Sequence, residues 1–263
     1  QSKFGIPAKE SLLEMYQVEK DWAKAIVASQ ELEPLQNKGR EKEIAHFHCE
    51  LADEALRRQD LAAASKHIAL AMQTSPNHPR AIILQGDCLV AQNQATQAIE
   101  VWSQIAKNHP AYLHLLANRW IKVHQVLGKV EEGLQVLVDA LETQAGGELL
   151  DITFKHVMAL RGVPQAETLM TEVMRHTPSL SAMALRAQAR LTMAEVAQDT
   201  KAAQEFKASL DLLKQRTNTL ARYTCGNCGF RAKRFYWQCP GCNHWEAYSP
   251  RRGEGSAPSG PSM

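Results

Sequence analysis

The sequence predicts a mainly α protein, in which pairs of helices form a right-handed solenoid and a small four-cysteine domain follows. Three observations support this fold class. Apolar residues recur at helical spacing along most of the chain, helix pairs repeat with a fixed period, and two closely spaced cysteine pairs lie near the end. The 263 residues are 44% hydrophobic with a net charge of +2 and contain no long apolar run, so we expect no membrane span within them.

Apolar spacing and the positions of Pro and Gly define the helices. Pro34 and Gly39 are expected to end the first pair, and Pro76, Pro110 and Pro178 to end later ones. The predicted pairs cover residues 8–18 and 21–35, 42–58 and 61–74, 80–92 and 95–108, 112–125 and 130–143, 148–160 and 165–176, and 181–197 and 200–215.

A period of 34 residues identifies the type of repeat, since this offset separates Pro76 from Pro110, and Pro178 follows after twice that distance. The second and third pairs match at the same offset, as Ala52 with Gly86, Ala64 with Ala98, Ile68 with Trp102, and Ala71 with Ile105. Small residues at the first two places let the helices approach closely, and larger ones fill the seam. The pattern resembles the tetratricopeptide repeat.

We therefore expect four regions along the chain. They are a partial N-terminal helical repeat at 1–39, tetratricopeptide repeats at 40–217, a rubredoxin-like four-cysteine domain at 220–250, and a disordered tail at 251–263. The sequence starts at Gln1, with neither an initiator Met nor a signal peptide, so we expect that it begins inside a longer protein.

The cysteines of the third region form two Cys-x-x-Cys pairs separated by ten residues: Cys225 and Cys228, then Cys239 and Cys242. This spacing can place four sulfurs at the corners of a tetrahedron about 2.3 Å from one metal ion. The alternative of two disulfides requires an oxidising compartment, which nothing else in the chain indicates. His244 is disfavoured as a fifth donor, because four thiolates already close the site.

Four thiolates suit zinc or iron equally well by geometry. Zinc is favoured, because about forty residues cannot build a sufficient core and a structural metal supplies folding free energy on the order of 10 kcal/mol. Gly226, Gly229 and Gly241 are expected to provide the permissive backbone angles of the two cysteine turns, and residues 230–237 to form two short strands.

The same region contains seven of the sixteen aromatic residues of the chain, more than so small a domain can bury. We expect part of this set to fix the domain on the repeats, with these residues as candidates: Phe235, Tyr236, Trp237 and Trp245. Arg231, Lys233 and Arg234 interleave with the rings, as in single-stranded nucleic-acid sites. The nearly balanced charge argues against nucleic acid as a partner.

Stacked helix pairs produce a concave groove that binds peptides or partner proteins. The groove-facing candidates are His46, Asp53, Arg57, Arg80, Asp87, Asn118 and Lys122. The sequence contains no phosphate-binding Gly-rich loop, no His-Glu-x-x-His motif and no Gly-x-Ser-x-Gly elbow. We therefore expect a protein that is not an enzyme.

Helical repeats that end in this cysteine module resemble the lipopolysaccharide assembly protein B family of Gram-negative bacteria. The matching residues of the C-terminal motif are Tyr223, Cys225, Cys228, Gly229, Phe230, Tyr236, Trp237, Cys239, Pro240, Cys242 and Trp245. Residues 43–51 also resemble a middle repeat of the family, and the resemblance covers about residues 10–250.

The resemblance implies an adaptor at the cytoplasmic face of the inner membrane, tethered by an N-terminal helix that this soluble fragment lacks. Such adaptors bring the deacetylase of the lipid A pathway to a membrane-bound ATP-dependent protease and so limit lipopolysaccharide synthesis. Two alternatives stay open: a rubredoxin-type iron redox module on a repeat scaffold, and a zinc-ribbon RNA-binding protein. The sequence leaves the oligomeric state open.

Overall fold

The structure is a computed structural model that describes residues 5–37, 39–144 and 146–248. The chain divides between His109 and Pro110 into two compact units. The first unit contains α1 (Gly5–Glu19), α2 (Trp22–Gln36), α3 (Glu41–Arg57), α4 (Leu61–Thr74), α5 (Pro79–Ala91) and α6 (Ala95–Asn108). The predicted tail at 251–263 lies outside the described residues.

The second unit begins with a 3-10 segment, Pro110–Leu115, and continues with six helices and a two-stranded sheet. These are α7 (Ala117–Val126), α8 (Val130–Gln144), α9 (Gly147–Leu160), α10 (Val163–His176), α11 (Leu180–Val196), α12 (Thr200–Thr219), β1 (Tyr223–Thr224) and β2 (Arg231–Ala232). The prediction of a mainly α chain of tetratricopeptide-type helix pairs with a C-terminal cysteine domain is confirmed.

In the first unit the period of 34 residues corresponds to equivalent buried positions. The buried residues of α4 are Ala64, Ile68 and Ala71, and those of α6 are Ala98, Trp102 and Ile105. Helices α5 and α6 approach closely at Gly86, where an added Cβ atom would lie 2.0 Å from Nε1 of Trp102. The Trp102 indole donates a hydrogen bond to the Ile83 carbonyl at 3.0 Å. A small residue is therefore required at this place in the pair.

Two predicted helix ends differ in the structure. Pro34 lies inside α2, and the helix instead ends at Gln36, followed by Asn37, whose φ of 49° is left-handed. The predicted helix over 112–125 begins only at Ala117, because a 3-10 segment takes the place of its first turns. That segment closes with an amide-to-carbonyl bond from Leu116 to Leu113, the shorter spacing of a 3-10 turn.

Within the second unit, α8 buries Gly133, Leu134, Leu137 and Leu141, and α10 buries Ala166, Met170 and Val173. The Trp120 indole of α7 donates to the Gly133 carbonyl of α8 at 2.9 Å. None of the helices in the described ranges combines the length and the hydropathy needed to cross a bilayer.

Candidate metal centre

The cysteine domain, called here the ribbon (residues 223–248), is built from two similar turns. Strands β1 and β2 pair antiparallel, with Tyr223 opposite Ala232, so the first Cys-x-x-Cys lies in the loop between them. The expectation of two strands within 230–237 is therefore wrong. One strand precedes the first cysteine pair, and backbone bridges from Cys225 to Tyr248 and from Gln238 to Trp245 bring the second pair alongside.

Each turn is closed in the same way. The amide of Gly229 donates to the Cys225 carbonyl at 3.0 Å, and the amide of Asn243 donates to the Cys239 carbonyl at 2.8 Å. Gly229 has a φ of 75° and Asn243 a φ of 57°, so both lie in the left-handed region. Gly226 and Gly241 do not have positive φ, so the expectation that they supply such angles is wrong.

Gly241 is small for a different reason. A Cβ atom there would lie 3.2 Å from Cδ2 of Phe230 and 3.4 Å from Sγ of Cys228. The first turn thus packs closely against the second, and a side chain at this position would press on a cysteine of the site.

The four sulfurs converge on one point, with all ligand atoms within 4.8 Å of one another. Sγ of Cys225 lies 3.7 Å from that of Cys242, and Sγ of Cys228 lies 3.7 Å from that of Cys239. A tetrahedron with metal–sulfur bonds of about 2.3 Å has sulfurs about 3.8 Å apart. The donor set therefore fits one four-coordinate ion, and the two close pairs join the first turn to the second.

Hydrogen-bond donors surround the sulfurs of Cys239 and Cys242 and favour the thiolate form of these two residues. The Gly241 amide points at Sγ of Cys239 at 3.4 Å, the Tyr248 hydroxyl lies 3.5 Å from the same sulfur, and the Asn227 amide donates to Sγ of Cys242 at 3.4 Å. Burial raises the pKa of the Cys239 thiol, but hydrogen bonds with the Tyr248 hydroxyl and the Gly241 amide, and then with Cys225 and the Cys242 backbone, outweigh it and bring the pKa down to about 6. Such donors hold sulfur ligands in a metal-binding form.

The ribbon packs on the helical part of the same unit through aromatic rings. Tyr112, in the 3-10 segment, stacks on Trp237 with centroids 5.1 Å apart and meets the edge of Phe235 at 5.9 Å. The ring centroid of His114 lies 5.7 Å from that of Phe235 and 5.9 Å from that of Tyr223. The segment that replaces the first turns of a regular helix is thus the surface on which the ribbon rests.

Polar contacts to α9 add to this packing. The Tyr223 hydroxyl donates to Oε2 of Glu148 at 2.6 Å, and Arg222 pairs with Oδ2 of Asp151 at 2.6 Å. Burial, and then the Glu148 carboxylate, raise the pKa of Tyr223. Burial, and then the charge of Glu246, raise the pKa of Tyr112 to about 12. Both hydroxyls therefore remain neutral at physiological pH.

The four aromatic residues predicted for docking occupy different places. Phe235 and Trp237 contact Tyr112 as described. Tyr236 lies 6.1 Å from Tyr248 within the ribbon, and Trp245 is bridged through its backbone to Gln238. Sequence reasoning missed Tyr112, His114 and Glu148 as the receiving residues. The only hint was that the fourth helix pair departs from the period of 34 by one residue.

The predicted partner-binding residues do not form a single cluster of open side chains. His46 is fully buried, and Arg80 is buried in an ion pair with Glu50 at 2.7 Å. Arg57 forms an ion pair with Asp53 along α3, and Oδ1 of Asn118 lies 3.3 Å from Nε2 of His156. Asp87 is half-buried and Lys122 is exposed. A partner cannot reach His46 or Arg80 directly, and a binding role for the set stays a prediction.

These features define a class of protein: helical repeats of tetratricopeptide type that carry a C-terminal rubredoxin-type ribbon. Two family models match parts of this chain. The model described as rubredoxin metal binding domain matches residues 223–250, and the model of anaphase-promoting complex, cyclosome, subunit 3 matches residues 57–140.

Curated relatives point to one particular group. The chain is similar to lipopolysaccharide assembly protein B of Escherichia coli K12, with 26% identity over 96% of the chain, and to that of Haemophilus influenzae, with 21% over 94%. The chain spans 64% and 62% of the length of these two relatives. The resemblance inferred from the cysteine motif and the repeats is confirmed.

Two solved structures are also similar to this chain at low sequence identity. Pseudomonas aeruginosa pilF matches 69% of this chain and 87% of its own, with a TM-score of 0.44 and 13% identity. The type IV pilus biogenesis factor PilW matches 84% of this chain and 96% of its own, with a TM-score of 0.42 and 12% identity.

Proposed function

We propose that this chain is the helical-repeat and ribbon part of an adaptor that is not an enzyme and that acts in the control of lipopolysaccharide synthesis. In this role it presents the deacetylase of the lipid A pathway to a membrane-bound ATP-dependent protease at the cytoplasmic face of the inner membrane. The similarity to lipopolysaccharide assembly protein B over nearly the whole chain supports the pathway. The ribbon docked on the 3-10 segment supports a scaffold.

The docking of the ribbon is the observation that carries the scaffold role. Phe235 and Trp237 are engaged with Tyr112, and Tyr223 is engaged with Glu148. These contacts unite the ribbon and the helices of the second unit into one surface. The buried groups with shifted pKa values, Tyr112, His114 and Tyr223, lie at this packed contact. Their shifts are thus explained by packing without a catalytic role.

The metal in this proposal is a structural zinc ion held by Cys225, Cys228, Cys239 and Cys242. When bound, the ion neutralises the thiolates and ties the two cysteine turns together. The turns hold Phe235 and Trp237 between them in sequence, so their geometry determines whether these rings reach Tyr112. Loss of the ion is expected to release the ribbon while the helix pairs stay folded.

The first test is elemental analysis of the purified chain, together with its visible spectrum, from cells supplied with both iron and zinc. We expect one zinc per chain and no colour. One iron with a colour change on reduction would contradict the structural role and favour the redox alternative.

The second test is co-purification of the deacetylase and the protease from cells that produce the full-length protein. We expect both partners with the wild-type protein and neither with the Cys225→Ser/Cys239→Ser double variant. A double variant that has lost its metal and still lowers the deacetylase level would overturn the adaptor mechanism. Salt-sensitive RNA in the purified complex that disappears on replacing Arg231, Lys233 and Arg234 would favour the RNA-binding alternative.

A further inference from the structure

A cavity of the second unit lies beside the ribbon and does not include the metal site. It has a volume of about 750 Å3, and its walls come from α9, α11, the end of α12 and the residue that follows β2. This volume lies within the range of about 300–1,000 Å3 typical of ligand sites. The charges and apolar groups of the residues that line the cavity indicate which class of ligand it binds.

The charges around the cavity are almost all positive. Its lining includes five cationic side chains and a single acid, Asp151; the cations are Lys155, Lys214, Arg216, Arg222 and Lys233. Arg222 is paired with Asp151 at 2.6 Å. The other four cations are exposed, and no ion pair engages them among the described residues. Since a cleft lined by one sign of charge concentrates its field, the cavity attracts anions.

The lining is not uniformly polar. Leu180, Ala184 and Leu185 of α11 and Leu220 and Ala221 after α12 provide apolar surface between the cations. The cations come from four separate parts of the chain around this surface: α9, α12, the connection to β1, and the residue after β2. Such a distribution matches an extended ligand with several separated negative charges and an apolar group between them.

We propose that this cavity binds an acidic segment of a partner protein, with carboxylate side chains on the lysines and an apolar side chain against α11. The inference rests on the scaffold function proposed above and specifies the chemistry of its partner. A compact phosphate is less well matched, because bidentate arginine contacts bind it best, Arg222 is already engaged by Asp151, and Arg216 is the remaining arginine among mainly lysine cations of the lining. The chain's own residues 249–263 carry two arginines and one glutamate, so they do not complement the site.

The direct test measures binding of a labelled peptide, Asp-Glu-Leu-Glu-Asp-Leu-Glu, to the purified chain by fluorescence anisotropy. The matched neutral peptide is Asn-Gln-Leu-Gln-Asn-Leu-Gln. We expect the acidic peptide to bind at least about tenfold more tightly than the neutral one and to weaken as salt is raised. Equal binding of the two peptides would overturn the proposal.

Charge reversal locates the site. The triple variant Lys155→Glu/Lys214→Glu/Lys233→Glu is expected to lower the affinity for the acidic peptide by at least about tenfold. Lys207→Glu, an exposed change on the same helix as Lys214 but outside the cavity, is the control and should change it less than about twofold. Wild-type affinity in the triple variant would refute the assignment. Unchanged helix content and metal content show that the variants are folded.

Other anions decide the chemical class. Tripolyphosphate and vesicles of phosphatidylglycerol are tested against the same variants. If either binds through the three lysines and the acidic peptide does not, the cavity is a phosphate or lipid site and the proposed peptide is wrong. Peptide binding by the purified chain needs neither the deacetylase nor the protease. It can therefore fail while co-purification succeeds, or succeed while co-purification fails, so the two proposals are distinguishable.

Discussion

In the helix pair α5–α6 and in the pair α7–α8, a tryptophan of one helix packs at a glycine of the other, but the two residues lie on opposite helices in the two pairs. In the first, Trp102 of the second helix lies over Gly86 of the first helix. In the other, Trp120 of the first helix bonds the Gly133 carbonyl of the second, and His124 lies over Gly133. The first pair keeps all its helical turns, whereas the second gives up its first turns to the 3-10 segment that receives the ribbon. A departure from the repeat pattern thus marks the docking surface.

The largest effect expected from any substitution is the unfolding of the ribbon, with the helices unchanged. In the Cys225→Ser/Cys239→Ser variant two of four ligands are lost, so the metal no longer binds and the ribbon unfolds. Circular dichroism in the far ultraviolet should keep nearly all of its helical signal, because the ribbon holds only two short strands. Metal analysis gives the loss directly. Global unfolding of the helices in this variant would show that the repeats depend on the ribbon.

Next in size is the effect of filling the close approach in the regular pair. Gly86→Ala puts a Cβ atom 2.0 Å from Nε1 of buried Trp102, so the helices must separate. We expect a loss of about 1–3 kcal/mol in the free energy of unfolding, measured with urea. Gly133→Ala, 2.5 Å from Cγ of His124, should cost a similar amount in the irregular pair.

Gly147→Ala is the control for both glycine variants, because nothing lies within 4 Å of its added Cβ atom. It should leave the free energy of unfolding unchanged or slightly higher, since Ala favours helices more than Gly does. If Gly86→Ala behaves like this control, the tight fit described for the regular pair is wrong.

A smaller effect is expected at the docking surface. Tyr112→Ala removes the stack on Trp237 and the edge contact to Phe235, and each aromatic pair contributes about 0.5–1.5 kcal/mol. The ribbon should then detach more readily, seen as faster loss of the bound metal to a chelator at unchanged helix content. Tyr16→Ala, in α1 of the first unit, is the matched control and should leave the rate of metal loss unchanged.

The smallest predicted effect is on the pH dependence of the free energy of unfolding. It is expected to differ between His48, a buried histidine of the first unit, and His114, a buried histidine of the second. Burial, and then neighbouring His67, lower the pKa of His48 to about 4. The unfolded chain, with a His pKa of about 6.5, therefore binds more protons, and stability present above that pH is lost as pH falls toward 4. We expect the contribution of His48 to fall by about 1 kcal/mol between pH 7.5 and 5.5.

His114 should contribute less to this pH dependence. Burial lowers its pKa too, but the Glu148 carboxylate and the Ala111 carbonyl oppose the shift. Urea titrations of His48→Gln and His114→Gln at pH 7.5 and 5.5 measure the two contributions. A wild-type pH dependence in His48→Gln would contradict the assignment.

The regular parts of the molecule could be predicted because their physics is local and periodic. Ala64, Ile68 and Ala71 recur as Ala98, Trp102 and Ile105, and the cysteine spacing alone identified the four sulfurs that converge. The turn glycines were only partly predictable, since Gly229 serves by its φ and Gly241 by its closeness to Phe230. Spacing in the sequence does not distinguish these two uses.

The docking surface could not be predicted for a different reason. The sequence around Tyr112 and His114 predicts the start of an ordinary helix, and only the tertiary contacts of these residues identify the 3-10 segment as the surface on which the ribbon packs. The same holds for Tyr223 and Glu148, whose hydrogen bond joins residues 75 positions apart. No periodic pattern records a contact of that range.

The 3-10 segment also sets the order in which the second unit can be completed. It stands at the beginning of that unit, and the rings that cover it, Phe235 and Trp237, come late in the same unit, so during synthesis the segment is made well before them. Domains generally fold as units as they are synthesised, and contacts distant in sequence form late. We therefore expect Tyr112 to stay uncovered until Phe235 and Trp237 are in place. If the ribbon needs its metal to fold, metal binding is expected to be a late step in the folding of this unit, and chains made without metal are expected to leave Tyr112 exposed.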